Sequence, residues 1–297
     1  DDPVAAGTAV KLDRSVAALG QFAANANRIE NRLGQQENAL SEAGDLMQQV
    51  HDLTLQANNP VLSDADLKAV ASQLRSIQDQ LLAVSNSTDG SGRYLFGGTS
   101  DGNAPFVRNG TTVSYTGDQS WRKVEVAPDT YVRDALPGSE IFMRIPTGDG
   151  TVTASPAAGN AGSVVLNDYG LDLDNGNWDG SSYTLAFPDA DSYEVRDGAG
   201  NLVGNGAYAA GDDISFAGVR MQLLGTPEPG DSLSIGASTN RDVFATLDQL
   251  CLALEQGART PLDVAARTNI LQQSLRDVSR AGEVIIDARA SGGVQLA

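Results

Sequence analysis

The sequence contains one cysteine, Cys251, and one histidine, His51. A single cysteine excludes an internal disulfide, and the two residues together cannot supply a Cys/His zinc set. Any Ser-His-Asp or Cys-His mechanism would have to run through His51, which follows an apolar helical position and reads as the flank of a bundle. Cys251 itself falls in an apolar helical row and reads as a small buried side chain. No run of about 18 apolar residues is present to span a bilayer as a helix, and no charged and apolar leader opens the chain. Basic residues are few: 20 Lys+Arg stand against 38 Asp+Glu, a net charge of −18. Such a surface repels phosphate backbones and anionic lipid, so neither nucleic acid nor a membrane surface is expected as a partner. The first residues are "DDPV", without methionine. The chain therefore reads as a trimmed fragment, with any targeting signal outside it. At 297 residues it has length for two domains with their own cores.

From Leu12 onward apolar residues recur in steps of three and four. Leu12, Leu19, Phe22, Ala26, Ile29, Leu33, Leu40, Ala43, Met47, Val50 and Ala57 share one heptad row, interrupted only by Ser15, Gln36 and Thr54. The pattern predicts a long helix over 12–57, roughly 70 Å at 1.5 Å per residue, packed as in a coiled coil. "NNPVLSDAD" ends it, and Ser63 with Asp66 reads as a capping box for a second, antiparallel helix. The row of that helix is Leu67, Val70, Leu74, Ile77, Leu81 and Val84.

Between about 91 and 238 short β-rich runs alternate with Gly, Asn and Asp, the pattern of antiparallel sheet. "RDGAGNL" reads as a hairpin turn carrying Asp197, Gly198 and Gly200. Helix returns with Thr239 as a candidate N-cap and Phe244, Leu247, Cys251 and Leu254 in its row, and Gly257 closes it. It restarts at Thr260, Pro261 and Asp263, with Val264, Leu271, Leu275, Val278 and Ile285 in the row. Helical rows at both ends need partners, which they find most simply in each other. The expected fold is α+β: a discontinuous long-helix rod bundle from both chain ends with an inserted antiparallel β domain. The rod is assigned to 1–130 and 236–297, with a small β-hairpin region after residue 91, and the insert to 131–235.

No catalytic set assembles from the sequence. "DLDNGNWDG" (172–180) lacks the glycine position and terminal Glu of a calcium loop, and "GAGNLVG" (198–204) has the wrong spacing for a dinucleotide fingerprint. With 38 acids some close carboxylate pair is statistically certain, so it signals no glycosidase. Trp121 with Arg122 and Lys123 is a small patch that reads as half-buried strand. Neither enzyme activity, cofactor nor metal is expected. A long rod with convergent ends points to a scaffold working through helix faces.

"GRYLFGGTSDGNAPF" (92–106) marks the change from helical to β text. Tyr94 and Phe96 supply apolar bulk, Gly97 and Gly98 permit angles a Cβ resists, and Pro105 and Phe106 anchor the following strands, which makes the segment a structural joint. This stretch, with "QFAANANRIENRLGQQENAL", "ISFAGVRMQLLGTPEPGDSLSI" and "IIDARASGGVQLA", resembles the flagellin superfamily, and within it the hook-associated protein 3 family. The resemblance covers nearly the whole chain. It implies a flagellin-like core whose terminal assembly segments are absent from this sequence, and a non-enzymatic, extracellular junction subunit sent through type III export. The implied partners are hook-associated protein 1, flagellin, copies of itself in a ring and an export chaperone. The interface candidates it suggests are Asp1, Asp2, Pro3, Arg28, Arg280 and Arg289. Alternatives are a filament-forming flagellin, a relative of hook-associated protein 1 or, in another class, a carbohydrate-binding β module on a rod, prompted by Trp121 and Trp178.

Overall fold

The computed structural model describes residues 3–296, with side chains described for 7–293. Four helices dominate: α1 (Pro3–Ala57), α2 (Asp64–Ser85), α3 (Val243–Glu255) and α4 (Pro261–Leu296). No described helix is long and apolar enough to cross a membrane. Both expected capping boxes form. At α2, Ser63 Oγ accepts from Asp66 N at 3.2 Å while Asp66 Oδ2 accepts from Ser63 N at 3.0 Å. At α4, Thr260 Oγ1 accepts from Asp263 N at 3.1 Å and Asp263 Oδ2 from Thr260 N at 2.9 Å. Thr260→Ala is expected to cost about 1 kcal/mol, a shift that urea titration followed by helical circular dichroism would resolve.

Two local expectations change. The first helix begins at Pro3, well before Leu12, because a first-turn proline is compatible with helix and nothing after it breaks the spiral. The cap of α3 is Asp242, whose side chain accepts from Ala245 N, while the residues after Thr239 form a two-residue strand.

The chain divides into two compact units. Unit 1 holds Asp1–Asp45, Leu81–Ile141 and Val284–Ala297, and so contains both chain ends; unit 2 holds Leu46–Gln80 and Phe142–Glu283.

In unit 1 the α1 row becomes buried from Ile29 onward, through Leu33, Leu40 and Ala43, together with Leu81 and Val84 of α2 and Ile285 of α4. Two small hairpins lie beside these helices: β1 (Phe106–Asn109) with β2 (Thr112–Tyr115), and β3 (Lys123–Ala127) with β4 (Thr130–Arg133).

Unit 2 carries the larger β region. After β5 (Ile145–Pro146) come β6 (Val152–Pro156), β7 (Val165–Leu171), β8 (Tyr183–Asp189), β9 (Ser192–Asp197) and β10 (Leu202–Ala207). They are followed by β11 (Asp213–Phe216), β12 (Val219–Leu224), β13 (Ser232–Ala237) and β14 (Asn240–Arg241). A five-stranded sheet has the order β10-β9-β8-β13-β6 and a three-stranded sheet β11-β12-β7, both antiparallel. Alternating side chains of both sheets, among them Leu185, Phe187, Val195, Met221 and Leu233, share one core. The 197–201 hairpin forms as read, with Asp197 Oδ1 accepting from the backbone N–H of Ala199 and Asn201. "DDISFAGVRMQLLG" divides at Ala217–Gly218, where Ala217 takes a φ of 46° to close the β11–β12 turn.

Helix α4 holds β7 through two side chains about two turns apart, Asn269 and Arg276. The Asn269 amide donates to Val164 O and accepts from Leu166 N, both at 2.8 Å, taking the place of a neighbouring strand. Arg276 lies over the Tyr169 ring at 4.4 Å and donates to Asn167 O at 3.1 Å. Cys251 is fully buried on α3, and burial pushes its thiol up to about 11.

Candidate assembly surfaces

The 92–106 segment folds back on itself within unit 1. Tyr94 N donates to Asp101 O at 2.9 Å and Leu95 N to Ser87 O at 2.9 Å. Phe96 is fully buried, Phe106 nearly so, Pro105 buried and Tyr94 half-buried. The Asn86 amide brackets Phe106, accepting from its N–H at 3.0 Å and donating to its carbonyl at 2.8 Å. A Cβ on Gly138 would stand 2.8 Å from the Phe106 ring and from the Phe96 Cβ, so the chain approaches the aromatic pair there only as glycine. Gly97 O accepts from Asp118 N at 3.1 Å. Gly98 has a φ of +68° and its missing side chain faces the Asp118 carboxylate. Tyr115 packs its ring 5.2 Å from Phe106 and donates to Phe96 O at 3.1 Å and Asp118 O at 2.8 Å. Burial pushes its phenol up to about 12. Pro105 O takes the N–H of Thr116 at 2.8 Å, which ties the segment's end to the β1–β2 hairpin.

A network of buried ions lies beside this corner, and the sequence reading did not anticipate it. Arg32 of α1 is 4% exposed; its guanidinium donates to Asp89 Oδ2 at 2.6 Å, Asp134 O at 2.8 Å and Tyr94 O at 2.9 Å. Arg122 grips both Asp134 oxygens at 2.7 and 3.1 Å and reaches Asp101 at 3.2 Å. Asp101, 4% exposed, also receives Arg93 at 3.2 Å. These carboxylates hold the Arg122 guanidinium above its ordinary pKa. Burial alone would raise the Asp89 pKa, but hydrogen bonds from Ser91 and the Arg93 N–H, with the Arg32 charge, bring it below 3.8. Arg28, Arg32, Arg93 and Arg122 converge on an open cleft of about 730 Å³, which Gln35, Asp89, Asp134 and Val124 also line.

A third surface is apolar. Leu12, Val16 and Leu19 fall on one face of α1 and are 65, 62 and 62% exposed. Leu12 and Leu19 belong to the heptad row, yet among the described residues nothing covers them. The periodicity reports a face that wants a partner without saying where that partner is.

The interface candidates from the sequence scatter. Asp1 and Asp2 lie outside the described residues, and Pro3 opens α1 with its side chain outside the described set. Arg28 is exposed on the cleft rim and donates to Asn25 Oδ1 at 3.1 Å. Arg280 donates to Asp149 O and to Glu283 within unit 2, and Arg289 holds Glu37 at 2.7 Å within unit 1. Trp121 is 43% exposed ahead of β3 with Arg133 stacked at 4.9 Å, rather than half-buried within the strand. Trp178 packs against the β core and donates to Ser181 O at 3.0 Å. His51 Nδ1 lies 3.5 Å from Asp52 Oδ1. Among the described residues no group of three or more His, Cys, Asp or Glu side chains could hold a metal.

Long helices from both chain ends, a glycine-aromatic corner and an antiparallel β insert define a flagellin-like protein. The family described as the bacterial flagellin N-terminal helical region matches residues 1–101. FlgL of Xanthomonas campestris, a solved structure, is 53% identical with a TM-score of 0.92, over 95% of this chain and 93% of that one. The chain belongs to the FlgL family, that of flagellar hook-associated protein 3. The Salmonella typhimurium protein of that name is 33% identical over 145 residues, 49% of this chain and 45% of that relative, so the match spans less than half of the curated protein. The flagellar junction protein FlgL of Legionella pneumophila, 24% identical over 97% of this chain and 98% of its own, shares the fold with a TM-score of 0.88.

Proposed function

We propose that the chain is a structural adaptor of the bacterial flagellum, a junction subunit outside the cell between hook-associated protein 1 and the first flagellin layer. The observation that carries this is the Leu12/Val16/Leu19 face of α1, uncovered among the described residues, in a chain 53% identical to a solved FlgL. Three aliphatic side chains on one helical face are a poor surface for an isolated chain and a good one for helix-on-helix packing between subunits. Copies of the chain would form a ring, and an export chaperone would cover such faces before secretion. The 92–106 corner is the rigid joint that fixes the small hairpins against the helices of unit 1, so assembly contacts spread along α1 and α4 keep their register. Domain boundaries at residues 130/131 and 235/236 remain part of this reading. The filament role of a flagellin and a glycan-binding β insert find less support: Trp178 is spent on core packing and Trp121 on Arg133.

Deleting the gene in the source bacterium is expected to leave intact hooks and flagellin monomer in the medium, with no filaments by electron microscopy. Complementation with a Leu12→Glu/Val16→Glu/Leu19→Glu variant that folds normally is expected to leave filaments missing. Normal filaments in the deletion strain would refute the adaptor role.

A further inference from the structure

We propose that the arginine cleft of unit 1 receives carboxylates from unit 2 of a second copy of the chain, a head-to-tail contact. It rests on the reading of the chain as an assembly subunit.

The donors in the cleft are unequally used. Arg32 and Arg122 are committed to Asp89, Asp101 and Asp134. Arg93 is 60% exposed and meets Asp101 through one nitrogen at 3.2 Å. Arg28 donates only to the neutral Asn25 amide among the described residues. A guanidinium has five N–H donors, so the rim presents several that point to solvent. The cleft wall has the opposite need: Gln35 Oε1 is buried and accepts no hydrogen bond. An occupant suited to both offers carboxylate oxygens to Arg28 and Arg93 and an N–H to Gln35. An acidic polypeptide segment has both groups, whereas a simple inorganic anion has only the first.

The charge distribution points to the chain itself as the source. Unit 2 contains 23 Asp+Glu against 10 Lys+Arg, a net of −13 of the whole chain's −18. Unit 1 contains 15 against 10, a net of −5, and the cleft lining reverses even that, with four arginines against Asp89 and Asp134. A negative surface and a positive recess on one chain make a heterologous pairing, which closes into a ring or winds into a helical array. Such a contact steers association and weakens with salt.

The test uses the whole chain with Arg28→Lys, mixed from isotopically heavy and light copies and treated with a zero-length carbodiimide. The lysine introduced at position 28 is expected to join carboxylates within 142–283 of the other copy, identified by mixed-isotope peptides, and high salt should suppress the product. In sedimentation at low salt, Arg28→Glu is expected to weaken self-association by about tenfold or more, with circular dichroism unchanged. Coupling confined to the same copy or to unit 1 of the other, or the absence of any intermolecular product, overturns the proposal. Capture of a different acidic protein by unmutated chain, with no self-coupling, overturns it too. Full complementation of the deletion strain by Arg28→Glu would remove the cleft contact and leave the adaptor reading standing. Filaments in the uncomplemented strain would remove the adaptor reading itself.

Discussion

Phe96→Ala is expected to lower the stability of unit 1 by about 3–5 kcal/mol, the range for removing a buried aromatic ring from a core that cannot collapse around the gap. The reasons for little collapse are local. A Cβ added at Gly138 would stand only 2.8 Å from the Phe96 Cβ, and the Phe96 carbonyl is fixed by the Tyr115 hydroxyl and the Gly138 N–H, the latter at 2.8 Å. The backbone therefore stays in place while the ring volume empties. Phe96→Leu keeps most of the apolar volume and should lose less. Hydrogen exchange of amides around 86–106 reads the effect within unit 1 alone, which matters because a two-unit chain need not unfold in one step. Unchanged protection there would contradict the burial of the ring.

The second large effect is expected at Arg32. Removing one partner of a buried ion network costs about 3–5 kcal/mol, because the charges left behind stay buried without compensation. Arg32→Leu strips Asp89 of its closest cation and leaves the Asp134 and Tyr94 carbonyls without that donor. Asp101 keeps Arg93 and Arg122. The pH dependence follows in sign. The native Asp89 pKa lies below its ordinary 3.8, so this carboxylate contributes stability that is fully present above that value and is lost as pH falls through the lowered native pKa. Without the Arg32 charge the native pKa rises, so the variant's acid-unfolding midpoint is expected at higher pH than that of the unmutated chain. Acid titration followed by near-ultraviolet circular dichroism measures this, and coincident midpoints would show that Arg32 does not couple to the carboxylates.

What could be read from the sequence was local. The boxes at Ser63/Asp66 and Thr260/Asp263, the Asp197 turn and the helical rows are encoded within a few residues, and the folded chain uses them. The order of helical and β text supplied the architecture, and the 53%-identical relative bears out the family resemblance. The ion network was not legible because its members are far apart: Arg32 meets Asp89 across 57 positions and Asp134 across 102. One clue was available. Arg32 sits between Ile29 and Gln36 beside the heptad row, where an arginine must either lie along the surface or find carboxylates. The exposure of Leu12 and Leu19 was equally hidden, since a heptad row is the same text whether its partner is in the same chain or another one. Asp242 rather than Thr239 caps α3 because β14 claims the intervening residues for pairing with β5.

The contact of the Asn269 amide of α4 with β7 bears on how the margin of the sheet is protected. A strand at the margin of a sheet offers unpaired N–H and carbonyl groups to any similar strand nearby, and crowded identical copies are where that exchange becomes aggregation. Asn269 occupies Val164 O and Leu166 N from within the chain, so this stretch of margin is sealed before a neighbour arrives. One side chain on a helix thus acts as a gatekeeper for this margin of the sheet.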